Sequence, residues 1–325
     1  MIVCKFGGKA TISEQALKNV KKLFEENNER AVAVFSAIGK ENDKDLKLTD
    51  LLILCAKEIC DKEKTKKNIE KIAKKIEKMC KIIQIDYDVR KILKKIVKKF
   101  KKNKDKNYLV SRGEYITCKI MAKYLSAKFI DASKLIFFSN DEVDWKKTRK
   151  KINKYLAKKK RVVVPGFYGL NKERKIQLFS RGGGDVSGAI ISKCLNANFY
   201  ENWTDVCGIF EVNPEIIDSR QILEMNFDDL QCLTALDAKV IHQDCAKILK
   251  DTEVTLKIGS IFEPQKSCTL VSKNVKSDFV YFVCEKTEKE FKVSVFQENA
   301  LKKQFFCKKS DLKSNIYENI KLFKK

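Results

Sequence analysis

Three apolar runs that each end at a glycine set the narrowest limit on how this chain can fold. Met1–Phe6 leads into Gly7-Gly8, Ala31–Ser36 runs through Ala37-Ile38 to Gly39, and Arg161–Val164 stops at Pro165-Gly166. The runs are continuous rather than alternating, which is the pattern of strands covered on both faces. Such strands belong to parallel sheets, and parallel strands need crossover helices between them. Helical periodicity supplies these at about Ser13–Asn28, Leu48–Cys60, Glu114–Leu125, Arg149–Ala157, Gly182–Leu195 and Ala238–Leu249. Further strands are expected at Lys128–Asp131 and Phe199–Trp203. The expected fold class is α/β, a three-layer αβα sandwich around a mainly parallel sheet. After Leu270 the pattern changes: Phe279–Glu285 and Phe291–Phe296 alternate like strands, and Leu312–Phe323 reads as a closing helix. The expected organisation is one domain over residues 1–271 and a small C-terminal α+β appendage over residues 272–325, which a length of 325 residues accommodates.

Charge needs to be located before it is interpreted. The chain has 68 Lys+Arg against 43 Asp+Glu, a formal +25, which raises nucleic acid as a partner. Residues 56–107 hold 20 basic and 8 acidic residues, and residues 145–161 hold 10 basic and none acidic. These stretches alone contribute +12 and +10; residues 301–325 are basic as well, so the rest is nearly neutral. In the basic helical insertion at about 56–108, Ile69, Ile72, Ile76, Met79 and Ile83, then Ile92, Ile96 and Phe100, recur at helical spacing. Each helix thus buries one stripe and turns lysines outward, with almost no aromatic residues between them to stack on bases. A solvated helical face is the reading, with no nucleic acid and no membrane partner.

No apolar stretch reaches the roughly 18 residues of a membrane span, and no signal peptide precedes the first strand. Twelve cysteines sit mostly inside apolar runs without a CxxC pair, so reduced thiols in a cytoplasmic protein are expected. The one histidine, His242, excludes a multi-histidine metal centre, and no metal-ligating set is expected.

Three constellations carry chemistry. Lys5-Phe6-Gly7-Gly8-Lys9 ends the first strand: glycines let the backbone approach a phosphate, amides donate and lysines bring charge, although a Gly-Gly strand end is also an ordinary turn. It is not the GxxxxGK[ST] phosphate loop. Ser180-Arg181-Gly182-Gly183-Gly184-Asp185 opens a helix with bare amides, a guanidinium suited to a carboxylate and an aspartate able to orient a lysine or a metal. The bland alternative is a turn with an incidental ion pair. Thr204-Asp205-Val206-Cys207-Gly208-Ile209-Phe210 follows a strand: Thr204 and Asp205 suit a nucleotide, and Phe210 suits either a purine or the core.

In order, KFGG at 5–8, SAIGK at 36–40 with Thr49-Asp50-Leu51-Leu52, Gly113-Glu114, VVVPGFYG at 162–169, SRGGGD at 180–185, TDVCGIFEVNP at 204–214 and AKVIH at 238–242 make the chain resemble the aspartate kinases of the amino acid kinase family. The resemblance spans about Met1 to Leu270. It implies the amino acid kinase fold, ATP and Mg²⁺, a homodimer, and γ-phosphoryl transfer to the β-carboxylate of L-aspartate. A carboxylate is already a nucleophile at neutral pH, so catalysis reduces to positioning and charge neutralisation. The resemblance further implies that Lys5 and Asp185 are catalytic. Ser36, Thr49, Glu114, Arg181 and Gly184 are then at the amino acid. Lys5, Gly7, Gly8, Lys9, Thr204, Asp205, Phe210 and Lys239 are at the nucleotide, and His242 is structural.

This chain departs from the family's usual wording at several places. Lys9-Ala10 stands where KFGGTS has Thr-Ser, Gly184 where RGGSD has Ser, Cys207 where TDVDG has Asp, Phe210 for the usual Tyr, and Asn213 for the Asp before proline. These changes keep open a family enzyme acting on a different amino-acid-like carboxylate, or a catalytically weak regulatory or binding subunit. Residues 272–325 are also too few for the two ACT regulatory modules common in aspartate kinases, and short even for one of the usual size, so a truncated ACT-like module or a dimerisation element is expected there and feedback by lysine or threonine is not.

Overall fold

The structure is a computed structural model that describes residues 1–158, 161–179, 182–235, 240–276, 280–297 and 300–323. Its main sheet has eight strands. Across the sheet they run Glu224–Met225, Thr269–Val271, Thr255–Ser260, Phe199–Thr204, Ile2–Phe6, Arg30–Phe35, Val162–Pro165 and Lys128–Phe129. Neighbours are parallel except where Thr269–Val271 meets Thr255–Ser260 antiparallel. The Ile2–Phe6, Arg30–Phe35 and Val162–Pro165 strands are buried at every position. Alternate residues feed opposite layers, as the pleat requires. Val3, Val32, Val34 and Tyr200 pack with Ile152, Ala189, Ile190 and Leu249 on one face. Ile2, Cys4, Phe6 and Phe35 pack with Leu17, Val20, Phe24, Ile116 and Met121 on the other. Phe6 and Phe35 stack at 5.0 Å between ring centres. This is the expected three-layer sandwich.

The sheet also creates the site. From Ile2–Phe6 the chain moves to Arg30–Phe35 on one side and later returns to Phe199–Thr204 on the other. The carboxyl ends of Ile2–Phe6 and Phe199–Thr204 therefore diverge at a topological switch point, where open α/β sheets bind ligands. Register puts Lys5 between Val34 and Asn202, and Phe6 beside Trp203.

The basic insertion forms helices Lys62–Ile82 and Val89–Asn103. Asp61 caps the first through the Glu63 and Lys64 amides, and Asp88 caps the second through the Lys91 amide. The buried stripe of the second helix is Val89, Leu93, Ile96 and Phe100: Ile96 and Phe100 are as expected, while Leu93 faces in where Ile92 is expected and Ile92 is half-buried.

Some elements differ from expectation. The late helix begins at Gln243, with His242 as its cap: the Asp244 N–H donates to Nδ1 at 3.3 Å. Ala238, where the sequence places the start, lies outside the described residues. Thr255–Ser260 is a buried strand that Lys257 disguises in the sequence; its ammonium lies 5.0 Å from the Trp203 ring centre. The C-terminal strands Val280–Lys286 and Phe291–Gln297 and helix Leu312–Phe323 form as expected, with a third strand at Ala300–Cys307. Tyr281 is fully buried in the main core, and the Phe282 N–H donates to the Glu211 carbonyl at 2.7 Å. All twelve cysteines are free thiols.

Candidate active site

The crevice is built on the first strand's end. Gly7 N–H donates to the Trp203 carbonyl at 3.2 Å, and Ser36 N–H to the Phe6 carbonyl at 3.1 Å. Gly39 N–H donates to the Gly8 carbonyl at 3.1 Å, and a Cβ on Gly39 would lie 2.7 Å from the Gly8 carbonyl carbon. The two loops cross backbone on backbone, which only glycine allows there.

Lys5 reaches into this crevice and pairs with Asp185 at 2.6 Å, both side chains nearly buried (10% and 13% exposed). Asp185 sits in the first turn of helix Gly183–Leu195. Its Oδ1 also faces Asn202 Nδ2 at 3.4 Å, and its Oδ2 accepts from the His242 backbone N–H at 3.3 Å. Gly182 precedes the helix at φ +75°, and a Cβ there would strike the His242 ring at 2.5 Å. The helix start, the cap of the late helix and the Lys5–Asp185 pair are thus one unit. Phe167 holds φ +81°, which bulky residues avoid. Its N–H donates to the Gly183 carbonyl and to Ser187 Oγ, so the wall of the turn over-determines the strain.

Ser36 and Gly184 meet here: a Cβ on Gly184 would lie 2.7 Å from Ser36 Oγ and 3.5 Å from Lys5 Cε. Glu114, on helix Arg112–Tyr124, is buried beside Ala37 of the 36–40 loop. Burial pushes its carboxyl up to about 7, against hydrogen bonds from its own and the Ala37 amide, the Arg112 charge and the Thr49 hydroxyl. Its Oε2 has no hydrogen-bond partner. A fully buried carboxylate with a free oxygen is costly unless a cation completes it.

At the mouth, Lys9 pairs with Asp205 at 2.6 Å, and Thr204 Oγ1 donates to Asp205 Oδ1 at 2.9 Å. Burial pushes the Asp205 carboxyl up, but hydrogen bonds from Lys9 and then Thr204 outweigh it and hold it below the usual range.

The structure brings Lys5, Gly7, Ser36, Gly184 and Asp185 together at the first strand's end, with Gly8 against the 36–40 loop. It joins Lys9 to Asp205 and Thr204 beside that end, and sets Thr49 on Glu114 behind the 36–40 loop. Phe210 is on the Ile209–Phe210 strand, half-buried and paired with Gln221. Arg181 and Lys239 lie outside the described residues. Sequence reading missed Asn202, which is 1% exposed with its Oδ1 unpartnered. A polar residue in the middle of the buried run Phe199–Trp203 was the available signal. It also missed the His242 amide, which only geometry reveals.

The profile of the amino acid kinase family matches residues 1–260, and the chain belongs to that family. It is similar to aspartokinases. It is 26% identical over 260 residues to aspartokinase 3 of Bacillus subtilis, covering 75% of this chain and 57% of that protein. It is 24% identical over 291 residues to the aspartokinase of Rickettsia felis, covering 85% of this chain and 62% of that protein. The crystal structure of Clostridium acetobutylicum aspartate kinase matches with a TM-score of 0.80 at 32% identity, over 87% of this chain and 66% of that one. Escherichia coli aspartokinase III in complex with aspartate and ADP shares the fold, with a TM-score of 0.77 at 18% identity over 87% of this chain and 68% of that one. The chain spans little more than half the length of the Bacillus relative. Among the described residues no helix is long and apolar enough to cross a membrane.

Proposed function

We propose that this protein transfers the γ-phosphoryl group of ATP to the β-carboxylate of L-aspartate, giving ADP and 4-phospho-L-aspartate. The observation that carries this is the buried Lys5–Asp185 pair at the glycine-lined end of the first strand, with the unpartnered, buried Glu114 oxygen beside the 36–40 loop that reaches the same strand end. The resemblance to aspartokinases selects aspartate among amino acids.

In this reading Glu114, with Thr49 on its carboxyl, receives the α-amino group, and Ser36 lies on the amino acid's side of Lys5. Gly184 leaves room for Ser36 Oγ at the position a side chain would take. Arg181 completes the amino-acid end. Gly7 and Gly8 bring bare backbone to the phosphates, while Lys9, Thr204, Asp205, Phe210 and Lys239 line the nucleotide end. A β-carboxylate oxygen attacks the γ-phosphorus, forming the acyl phosphate bond, and the bond from that phosphorus to the β,γ-bridging oxygen breaks as ADP leaves. No proton need be removed from the nucleophile. Lys5, fixed by Asp185, neutralises charge on the transferring group.

Mg²⁺ fits the donors present: Asp185 and the buried, unpartnered Asn202 Oδ1 are hard oxygens beside the phosphate cradle. When bound it would supply positive charge to the phosphates. Among the described residues no group of three or more metal-ligating side chains gathers, so any ion would depend on phosphate oxygens as well.

We place the reaction in the domain of residues 1–271, in a cytoplasmic homodimer. A second reading, a family kinase for a different amino-acid-like carboxylate, is favoured by Lys9, Ala10 and Gly184. ATP consumption across a panel of amino acids, with hydroxylamine trapping of the acyl phosphate, tests both: turnover with aspartate supports the first, and turnover only with another acid supports the second.

A further inference from the structure

We propose that Lys75 of the basic insertion is a positioning residue for the amino acid, a role that rests on the phosphoryl-transfer reading: through Asp45 it holds the loop of residues 38–48, whose neck carries the partners of Glu114.

The loop closes at that neck. Residues 36–47 contain neither helix nor strand. The Leu48 N–H donates to the Ile38 carbonyl at 3.0 Å and brings the two ends together, as in a compact surface loop. Thr49 follows on helix Leu48–Lys57. Glu114 is gripped from both sides of the neck, by the Ala37 amide before it and the Thr49 hydroxyl after it. The shape of the loop therefore decides how the Glu114 carboxyl is presented to an ammonium.

Asp45 is the hub of the loop. One carboxylate oxygen accepts from the Glu41 N–H at 2.9 Å and the other from the Leu46 N–H at 2.8 Å, while the Asp45 N–H donates to the Asn42 carbonyl at 3.2 Å. These bonds shape the loop from within but do not fix where it lies. Lys75 does that, because its ammonium pairs with Asp45 from helix Lys62–Ile82. Burial pushes the Asp45 carboxyl up, but Lys75 and the Glu41 and Leu46 amides outweigh it and hold it below the usual range.

Lys75 differs from the other lysines of its helix that pair with acids. Its side chain is 8% exposed, against 55% for Lys78, which joins Glu41 of the same loop from the water side. An exposed pair contributes little, whereas removing one partner of a shielded pair leaves the other uncompensated. The helix is itself a fixed support: Ile72, Ile76 and Met79, around Lys75, enter the same core as Leu48 and Leu52 of the helix that bears Thr49. One buried lysine thus ties the insertion to the amino-acid end of the site, while its neighbours stay in water.

The test uses the full chain, steady-state KM values for ATP and for the amino acid it phosphorylates, and hydrogen exchange of backbone amides. Lys75→Met is expected to raise the amino-acid KM about tenfold, to leave the ATP KM within about threefold, and to speed exchange at the Glu41, Leu46 and Leu48 amides about tenfold. Lys75→Arg keeps the charge and is expected to stay within about threefold of the parent, and Lys78→Met, at the exposed pair, within about twofold. Asp45→Asn is expected to raise the amino-acid KM as Lys75→Met does and to add less than about twofold in the Lys75→Met background, since both cut one link. A Lys75→Met protein with the parental amino-acid KM overturns the proposal, even where the loop exchanges faster. So does an equal rise in both KM values, which general loosening of the domain would give. A parent chain that phosphorylates no amino acid overturns the phosphoryl-transfer reading and the role of Lys75 with it; an active parent with an unaffected Lys75→Met overturns that role alone.

Discussion

Glu114 concentrates the physics of the site in one side chain. Its carboxyl titrates near pH 7 because burial disfavours the anion, yet an ammonium requires the anion. The amino-acid KM is therefore expected to be flat above pH 7 and to rise about tenfold per unit below it, measured as kcat/KM against pH. The same shift opposes stability in the other direction. Between about pH 4.5, where the unfolded carboxyl titrates, and 7, the folded state binds the extra proton, so stability falls as pH rises through that window. Glu114→Gln is expected to gain on the order of 3 kcal/mol at pH 8 in denaturant melts while losing amino-acid binding about a hundredfold. A variant that is neither more stable nor weaker in binding would remove Glu114 from the site. Lys5→Met is expected to lower kcat by about 10²–10³ with the fold retained by circular dichroism, since it removes charge needed chiefly in the transition state.

At the scale of elements, the start of helix Gly183–Leu195 decides whether the lysine pair is set. Gly182 needs φ +75°, and its missing Cβ makes room for His242. Gly182→Ala is expected to cost on the order of 2 kcal/mol in thermal melts. It should also lower kcat more than either KM, because the displaced His242 amide no longer holds Asp185. How far elements could be read from sequence follows from where their side chains point. Strands buried on both faces, such as Arg30–Phe35, announce themselves by unbroken apolar runs. Thr255–Ser260 did not, because Lys257 reaches out to lie over an indole. Ala300–Cys307 did not, because Leu301 and Phe306 stay about half exposed and break the alternation. The helix read from Ala238 starts at Gln243 because a histidine side chain can cap, which periodicity cannot show. The glycine turns were legible as turns, and Lys5, Asp185 and Glu114 as a set only through the resemblance. The separation of Lys5 and Asp185 along the chain hides a meeting that the switch point creates.

At the scale of the molecule, the appendage is part of the core. Tyr281 and Phe296 pack into the main cluster, stacked at 5.2 Å, while Val212 and Ile217 pack under the C-terminal strands. Ending the chain at residue 271 is expected to cost at least about 3 kcal/mol, roughly 6–12 °C in melting temperature by calorimetry. An unchanged melting point would make residues 272–325 an independent module. The charge that fills the insertion helices is a surface property: Lys67 and Lys78 engage Glu63 and Glu41, and the apolar stripe faces inward. Retention on DNA is therefore expected to vanish by about 150 mM salt. In the proposed function the anions handled specifically are those that reach Lys5 and Lys9 at the glycine turn. The measurement that bears most directly on this is hydroxylamine trapping with ATP and L-aspartate. The account predicts aspartyl hydroxamate formed in step with ADP and abolished by Lys5→Met; ADP released without hydroxamate, or hydroxamate from another amino acid but not from aspartate, would contradict it.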